Sequence, residues 1–196
     1  MDLDAWDAWT PVEVAARLDG VGPWAVAGGW AIDLFVGFQS REHEDLEVVT
    51  SRGGLALFQS AMPELEWYAA HAGEVTAVSR TPGILRPTWQ TWGWDAPAGK
   101  WRLDVMRETW VGGRWAYRRN PAIDMPLDAA LHKTASHIPF LAPEIVLLFK
   151  AKHSRDKDRH DFELVLPRLT DAQANWLARA LSVEDPSHAW LRELQR

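Results

Sequence analysis

The chain has no cysteine among its 196 residues. That excludes a disulfide framework, a thiolate zinc site and a cysteine nucleophile, so chemistry falls to carboxylates, histidines and hydroxyls. Apolar runs are short of the roughly 18 residues that a membrane span needs. The opening MDLDAWDAWT carries acid where a secretory leader has a basic stretch followed by an apolar one. A cytoplasmic chain with no membrane partner is therefore expected. An excess of base is also missing. The formal net charge of -6 argues against nucleic acid as a partner, because phosphate binding needs a basic surface, and suits a cationic small molecule better. Internal repeats and low-complexity tracts are absent, and nothing fixes an oligomeric state.

What is present is an ordinary globular composition, 47% hydrophobic and 24% charged, able to bury a core. Tyrosine is scarce, 2 residues against 13 tryptophans. Trp89, Trp92, Trp94 and Trp101 crowd one loop-like region, where they either pack or line a ligand pocket.

Helix signals open the chain: Thr10 as N-cap, Pro11 at the first helical position, Glu13 closing a capping box and Gly20 after the last turn. WAVAGG reads as a buried strand running into a Gly-Gly turn, and WAIDLFVG as a short helix ended by Gly37. LEVVT, EVTAVS and WRLDVMRETW read as strands, GGLALFQSAM as a helix, and VGGRW as a hairpin with WAYRR returning. From about residue 126 the pattern becomes helical. Pro143 and Glu144 start one helix, on which Lys150 and Lys157 would share a face, and Thr170 with Gln173 caps another. The expectation is an α+β fold: a mixed β-sheet with flanking helices over 1–125, and a small C-terminal helical region over 126–196 that completes a cleft.

The segment REHEDLEVV, residues 41–49, places acids directly before a strand. Alternate strand residues share a face, so Asp45 and Glu47 project together while Leu46 and Val48 turn to the core. Two like charges on one face repel unless a divalent cation lies between them, and magnesium takes such hard oxygen ligands. Asp104, flanked by Leu103 and Val105, offers a third carboxylate. The competing reading has these acids facing solvent or pairing with Arg41 and Arg107. Gly28 and Gly29 either permit a tight turn or leave amides free at a helix start, where phosphate is favoured.

AGGWAIDLFVGFQSREHEDLEV, WRLDVMRE and LAPEIVLLFKAKHSRDKDRHDFE together resemble the antibiotic nucleotidyltransferases. The resemblance is to the aminoglycoside adenylyltransferase family and its lincosamide-modifying relatives, within the polymerase-beta-like superfamily, and spans about residues 24–166. It implies that Gly28 and Gly29 hold a triphosphate, that Asp45 and Glu47 bind Mg2+, and that Asp104 completes the site. The departure is Glu47, where the pattern has a second aspartate; one more carbon adds roughly 1.5 Å of reach.

Arg41 and Lys150 are candidate triphosphate contacts, Lys150 because it follows IVLLF at a cleft edge. Asp158 and Asp161 read as tethers, His43 as able to orient a carboxylate, and Asp33 has no evident role. His132, His137, His153 and His160 show no metal-ligand spacing. The implied activity is transfer of a nucleoside monophosphate, AMP from ATP, to a hydroxyl of a small acceptor, with Asp104 as base. An aminoglycoside, a lincosamide or an unrelated metabolite would serve as acceptor. The alternatives are a nucleotide-binding sensor or regulator, a tryptophan-rich binding module, and a protein- or tRNA-modifying transferase of a toxin-antitoxin pair.

Overall fold

The computed structural model describes residues 2–78 and 88–195. In chain order the elements are α1 (Pro11–Arg17), β1 (Trp24–Val26), α2 (Gly28–Val36), β2 (Glu47–Ser51), α3 (Leu55–Ala61), β3 (Glu66–His71), β4 (Glu74–Ala77), β5 (Gln90–Asp95) and β6 (Lys100–Val111). There follow β7 (Arg114–Ala116), β8 (Asp124–Pro126), α4 (Leu127–Ala130), β9 (Leu131–Lys133), β10 (Pro139–Leu141), α5 (Pro143–Ala151), α6 (Asp156–Val165), α7 (Asp171–Glu184) and α8 (Leu191–Leu194).

Among the described residues these strands form one mixed sheet in the order β4-β3-β5-β6-β2-β1-β10-β9, with β7 branching from β6 and β8 from β7. The β2–β6 and β1–β10 pairs are parallel; β1–β2 and β5–β6 are antiparallel. The α+β expectation holds. The sheet does not end near residue 125, however: β9 and β10 lie beyond it, and β10 pairs with β1. Strands of three residues are too short to carry an alternation that the sequence could display.

The capping signals are used as written. Thr10 Oγ1 accepts from the Glu13 amide while Glu13 accepts from the Thr10 amide, and Thr170 and Gln173 repeat the arrangement at α7. Gly37 ends α2 in the left-handed region, φ 86°. Two expectations are corrected. The tryptophan-rich stretch is no loop: Trp92 and Trp94 lie on β5 and Trp101 on β6, and Trp101 is fully buried with Trp6, Tyr68, Trp92 and Trp94 around it. A register shift at Gly93 and Trp94 breaks the alternation that would have marked β5. Nor do Lys150 and Lys157 share a helix, because the chain breaks between α5 and α6, where Ser154 takes φ 43°. Ser79, the last residue of EVTAVS, lies outside the described residues.

α2 packs on β2 and β10 and against α5 and α6, while α7 packs on α5 and α8. Ile32, Val48, Leu103, Ile145 and Phe162 are solvent-free within this core. No helix among the described residues is long and apolar enough to cross a membrane.

Candidate active site

The parallel β2–β6 register makes Glu47 the partner of Asp104, Val49 of Met106 and Ser51 of Glu108. Register partners in a parallel pair show their side chains on the same face, so two acids from distant parts of the chain stand side by side. Asp104 is buried, and its Oδ2 accepts from Gln90 Nε2 at 2.7 Å; the Trp92 side chain beside the carboxyl is a further, weaker donor. Burial, and after it the neighbouring Glu47 charge, pushes the Asp104 carboxyl well above its ordinary range. Glu47 is pushed up to about 7 by burial and by Asp45, against the pull of Lys150, Arg118 and Arg155. Asp45 itself is exposed, two residues before β2 is under way.

Gly28 is required twice over. Its φ is 59°, and a Cβ there would overlap the Glu47 carboxylate. α2 therefore begins against Glu47, with Ala27 as N-cap and no side chain capping the first turn. Its leading amides have no partner within the helix and favour an anion. Gly29 is equally crowded, by Arg41 and His43.

Behind this front lies a buried ionic web. Asp33, 4% exposed, accepts from Ser40 Oγ and from the Ser40 amide (3.1 Å) and is paired with His43. This clamp folds residues 38–46 back before β2, so His43 meets Asp33 rather than the acid pair. Asp161 takes Lys150 Nζ at 2.8 Å and Arg41 Nη2 at 3.3 Å, while Asp158 takes Arg155 Nε at 2.8 Å. Asp158 and Asp161 are thus the tethers that the sequence suggests.

The cleft between β2, β6 and α5 encloses about 170 Å3 and opens to solvent. Gly28, Glu47 and Lys150 line it, together with Glu108, Arg118, Arg119, His153 and Arg155. Gly29, Arg41, Asp45 and Asp104 are not among its lining residues. Arg41 is turned to α6, and Asp104 lies buried beside Glu47. Among the described residues no three acids or histidines converge on a point suited to a metal. The near set is the Glu47–Asp104 pair, with Asp45 at the edge.

Sequence reading missed Glu108, Arg118 and Arg119. For Glu108 the signal was there: it lies four places after Asp104 on one strand and so faces the same way. Arg118 and Arg119 follow a hairpin and had no periodic signal.

The mixed sheet and its flanking helices have the nucleotidyltransferase type of fold. Within it, the family model described as aminoglycoside-2''-adenylyltransferase matches residues 12–74, in line with the resemblance carried by the motifs. The solved structure of ANT(2'')-Ia in complex with adenylyl-2''-tobramycin superposes with a TM-score of 0.59 at 14% identity, covering 88% of this chain and 95% of that one. The lincomycin-bound lincosamide antibiotic adenylyltransferase LnuA gives 0.53 at 17% identity, over 79% of this chain and 92% of its own. An antigenic nucleotidyltransferase-like protein from Paracoccidioides brasiliensis gives 0.51 at 17%, over 95% and 90%. No curated protein sequence matches the chain. At these identities the likeness establishes the fold.

Proposed function

We propose that the protein is a magnesium-dependent nucleotidyltransferase that moves AMP from ATP to a hydroxyl of a small molecule of the aminoglycoside or lincosamide kind. The observation that carries this reading is the register partnership of Glu47 and Asp104, set against the uncapped start of α2 on a cleft with cationic walls. The core of residues 1–125 supplies the acids, and the 126–196 region closes the cleft through Val146, Phe149 and Lys150.

The residues fit a divalent ion. Asp104 keeps a buried oxygen outside its Gln90 hydrogen bond, and each of Glu47 and Asp104 lies in an environment that disfavours a second bare charge. Magnesium needs only one or two carboxylates when substrate phosphates complete its shell, so a preformed cage is not required. Glu47 and Asp104 would hold it, with Asp45 at the mouth, and it would neutralise charge building up on the α-phosphate. The amides of Gly28 and Gly29 donate to triphosphate oxygens, and Lys150 and Arg155 offset the phosphate charge from the facing wall. Asp104 takes the proton of the acceptor hydroxyl, whose oxygen bonds to the α-phosphorus as the bond to pyrophosphate breaks. Arg41 supports this arrangement from behind, through Asp161 and against Gly29.

The test is a thermal shift with nucleoside triphosphates, with and without magnesium, followed by pyrophosphate release against a panel of hydroxylated antibiotics. ATP with magnesium at about 100 times its dissociation constant adds roughly 2.7 kcal/mol to the folded state, and neither component alone should do as much. A folded sample indifferent to every triphosphate ends the nucleotide reading.

A further inference from the structure

The cleft wall holds one carboxyl that the transfer does not use. Glu108 lies four residues beyond Asp104 on β6, on the same face and about 13 Å further along the strand. It is 0% exposed, and neither carboxyl oxygen has a hydrogen-bond partner among the described residues. Arg118 Nη1 stands 3.6 Å from Oε1, too far for a hydrogen bond, and has no hydrogen-bond partner of its own. Burial pushes Glu108 up to about 7 in spite of Arg118, Arg119 and Arg52. Two buried carboxyl oxygens without a hydrogen bond are costly, and a ligand in the cleft that Glu108 lines would satisfy them once the carboxyl turns to its N–H groups.

The lining between Glu108 and the catalytic acids is apolar: Val49, Met106, Val146 and Phe149. Arg118 and Arg119 approach the Phe149 ring to 5.1 and 5.4 Å from its centroid.

We propose that Glu108, backed by Arg118, reads the amino-bearing edge of the nucleobase of the nucleoside triphosphate, which lies in the apolar slot between β6 and α5. This rests on the nucleotidyltransferase reading and assigns the donor end of the cleft. Three observations favour a base over an amine of the acceptor. A cationic amine would meet Arg118, Arg119, Arg155 and Lys150 on the same cleft, whereas the amino group of a base is neutral. Apolar side chains line the slot, as a ring requires. The strand spacing of about 13 Å between Asp104 and Glu108 is on the order of a sugar and base end to end. A carboxyl accepts from an exocyclic N–H and, when protonated, donates to the neighbouring ring nitrogen, the pair of groups that adenine offers on one edge.

The experiment compares equilibrium binding of the magnesium complexes of ATP and of purine riboside triphosphate, which is ATP without its 6-amino group. The unaltered protein should bind ATP about tenfold tighter, as expected for one lost hydrogen bond in a site built to make it. In Glu108→Met that ratio should collapse to about one, by weakening of ATP alone, and Glu108→Gln, which keeps an acceptor and a donor, should retain most of it. Melting temperatures of both variants control for folding, and the comparison in the unaltered protein needs no variant. Equal binding of the two triphosphates by the unaltered protein overturns the inference and leaves the enzyme class standing. So does an unchanged ratio in Glu108→Met, or a loss confined to amine-bearing acceptors. Failure of the unaltered protein to bind either triphosphate overturns the nucleotidyltransferase reading and this one together.

Discussion

Gly28 shows how much one missing side chain can do. A methyl group there would meet the Glu47 carboxylate and would force an L-residue into the left-handed region. Gly37 has the same backbone constraint, φ 86°, yet nothing within 4 Å of its absent Cβ. The pair separates strain from function. Gly28→Ala and Gly37→Ala should both lower stability by about 1–2 kcal/mol, as read by urea denaturation. Only Gly28→Ala should also abolish the magnesium-dependent thermal shift with ATP. Retention of that shift would show that Glu47 can move aside without loss. Asp33 makes the opposite point. A sequence shows a lone acid in an apolar helix and no partner, because Ser40 and His43 reach it only once the 38–46 loop folds back.

Among the elements, α6 is where the cleft's cations are anchored. Asp161, 1% exposed, holds Lys150 from α5 and Arg41 from the loop before β2, so one carboxylate joins three segments. Asp161→Asn keeps the shape but removes the charge, leaving Arg41 without its counterion and Lys150 with Asp158 alone, at 3.4 Å. A loss of roughly 2–3 kcal/mol in urea denaturation is expected, with weaker nucleotide binding as Lys150 reorients. A variant as stable as the parent would reduce the web to decoration. The strand places of Glu47 and Asp104, the capping boxes and the tethers were legible, since each rests on a spacing along its own element, whereas Asp45, expected to share a strand face with Glu47, lies before β2 begins. The β5 strand was hidden by its shifted register, β9 and β10 by their shortness, and the break before α6 by charged residues that favour helix on either side of Ser154. Arg118 and Arg119 were illegible for another reason: their place in the cleft depends on how β7 lies against β6.

For the molecule as a whole, one side of the sheet concentrates carboxyls that folding makes harder to ionise: Glu47, Asp104 and Glu108. A carboxyl whose pKa is raised by folding binds its proton more tightly folded than unfolded. Its contribution is therefore complete below the ordinary value of 4.5 and is lost as pH rises through the folded value, about 7 for Glu108. The ligand-free protein should accordingly lose stability between about pH 5 and 8, Glu108 alone accounting for something on the order of 3 kcal/mol. Glu108→Gln should flatten the fall in chemical denaturation series across that window, and identical slopes would remove Glu108 as a cause. The parallel pairing of β2 with β6 has a further consequence. Between Glu47 and Asp104 the chain runs through α3 and the β3 to β5 strands before it returns, so the two acids meet only after a long excursion has closed. A partly assembled chain would carry every motif and no binding site, and ligand capture would therefore mark the completion of the fold itself.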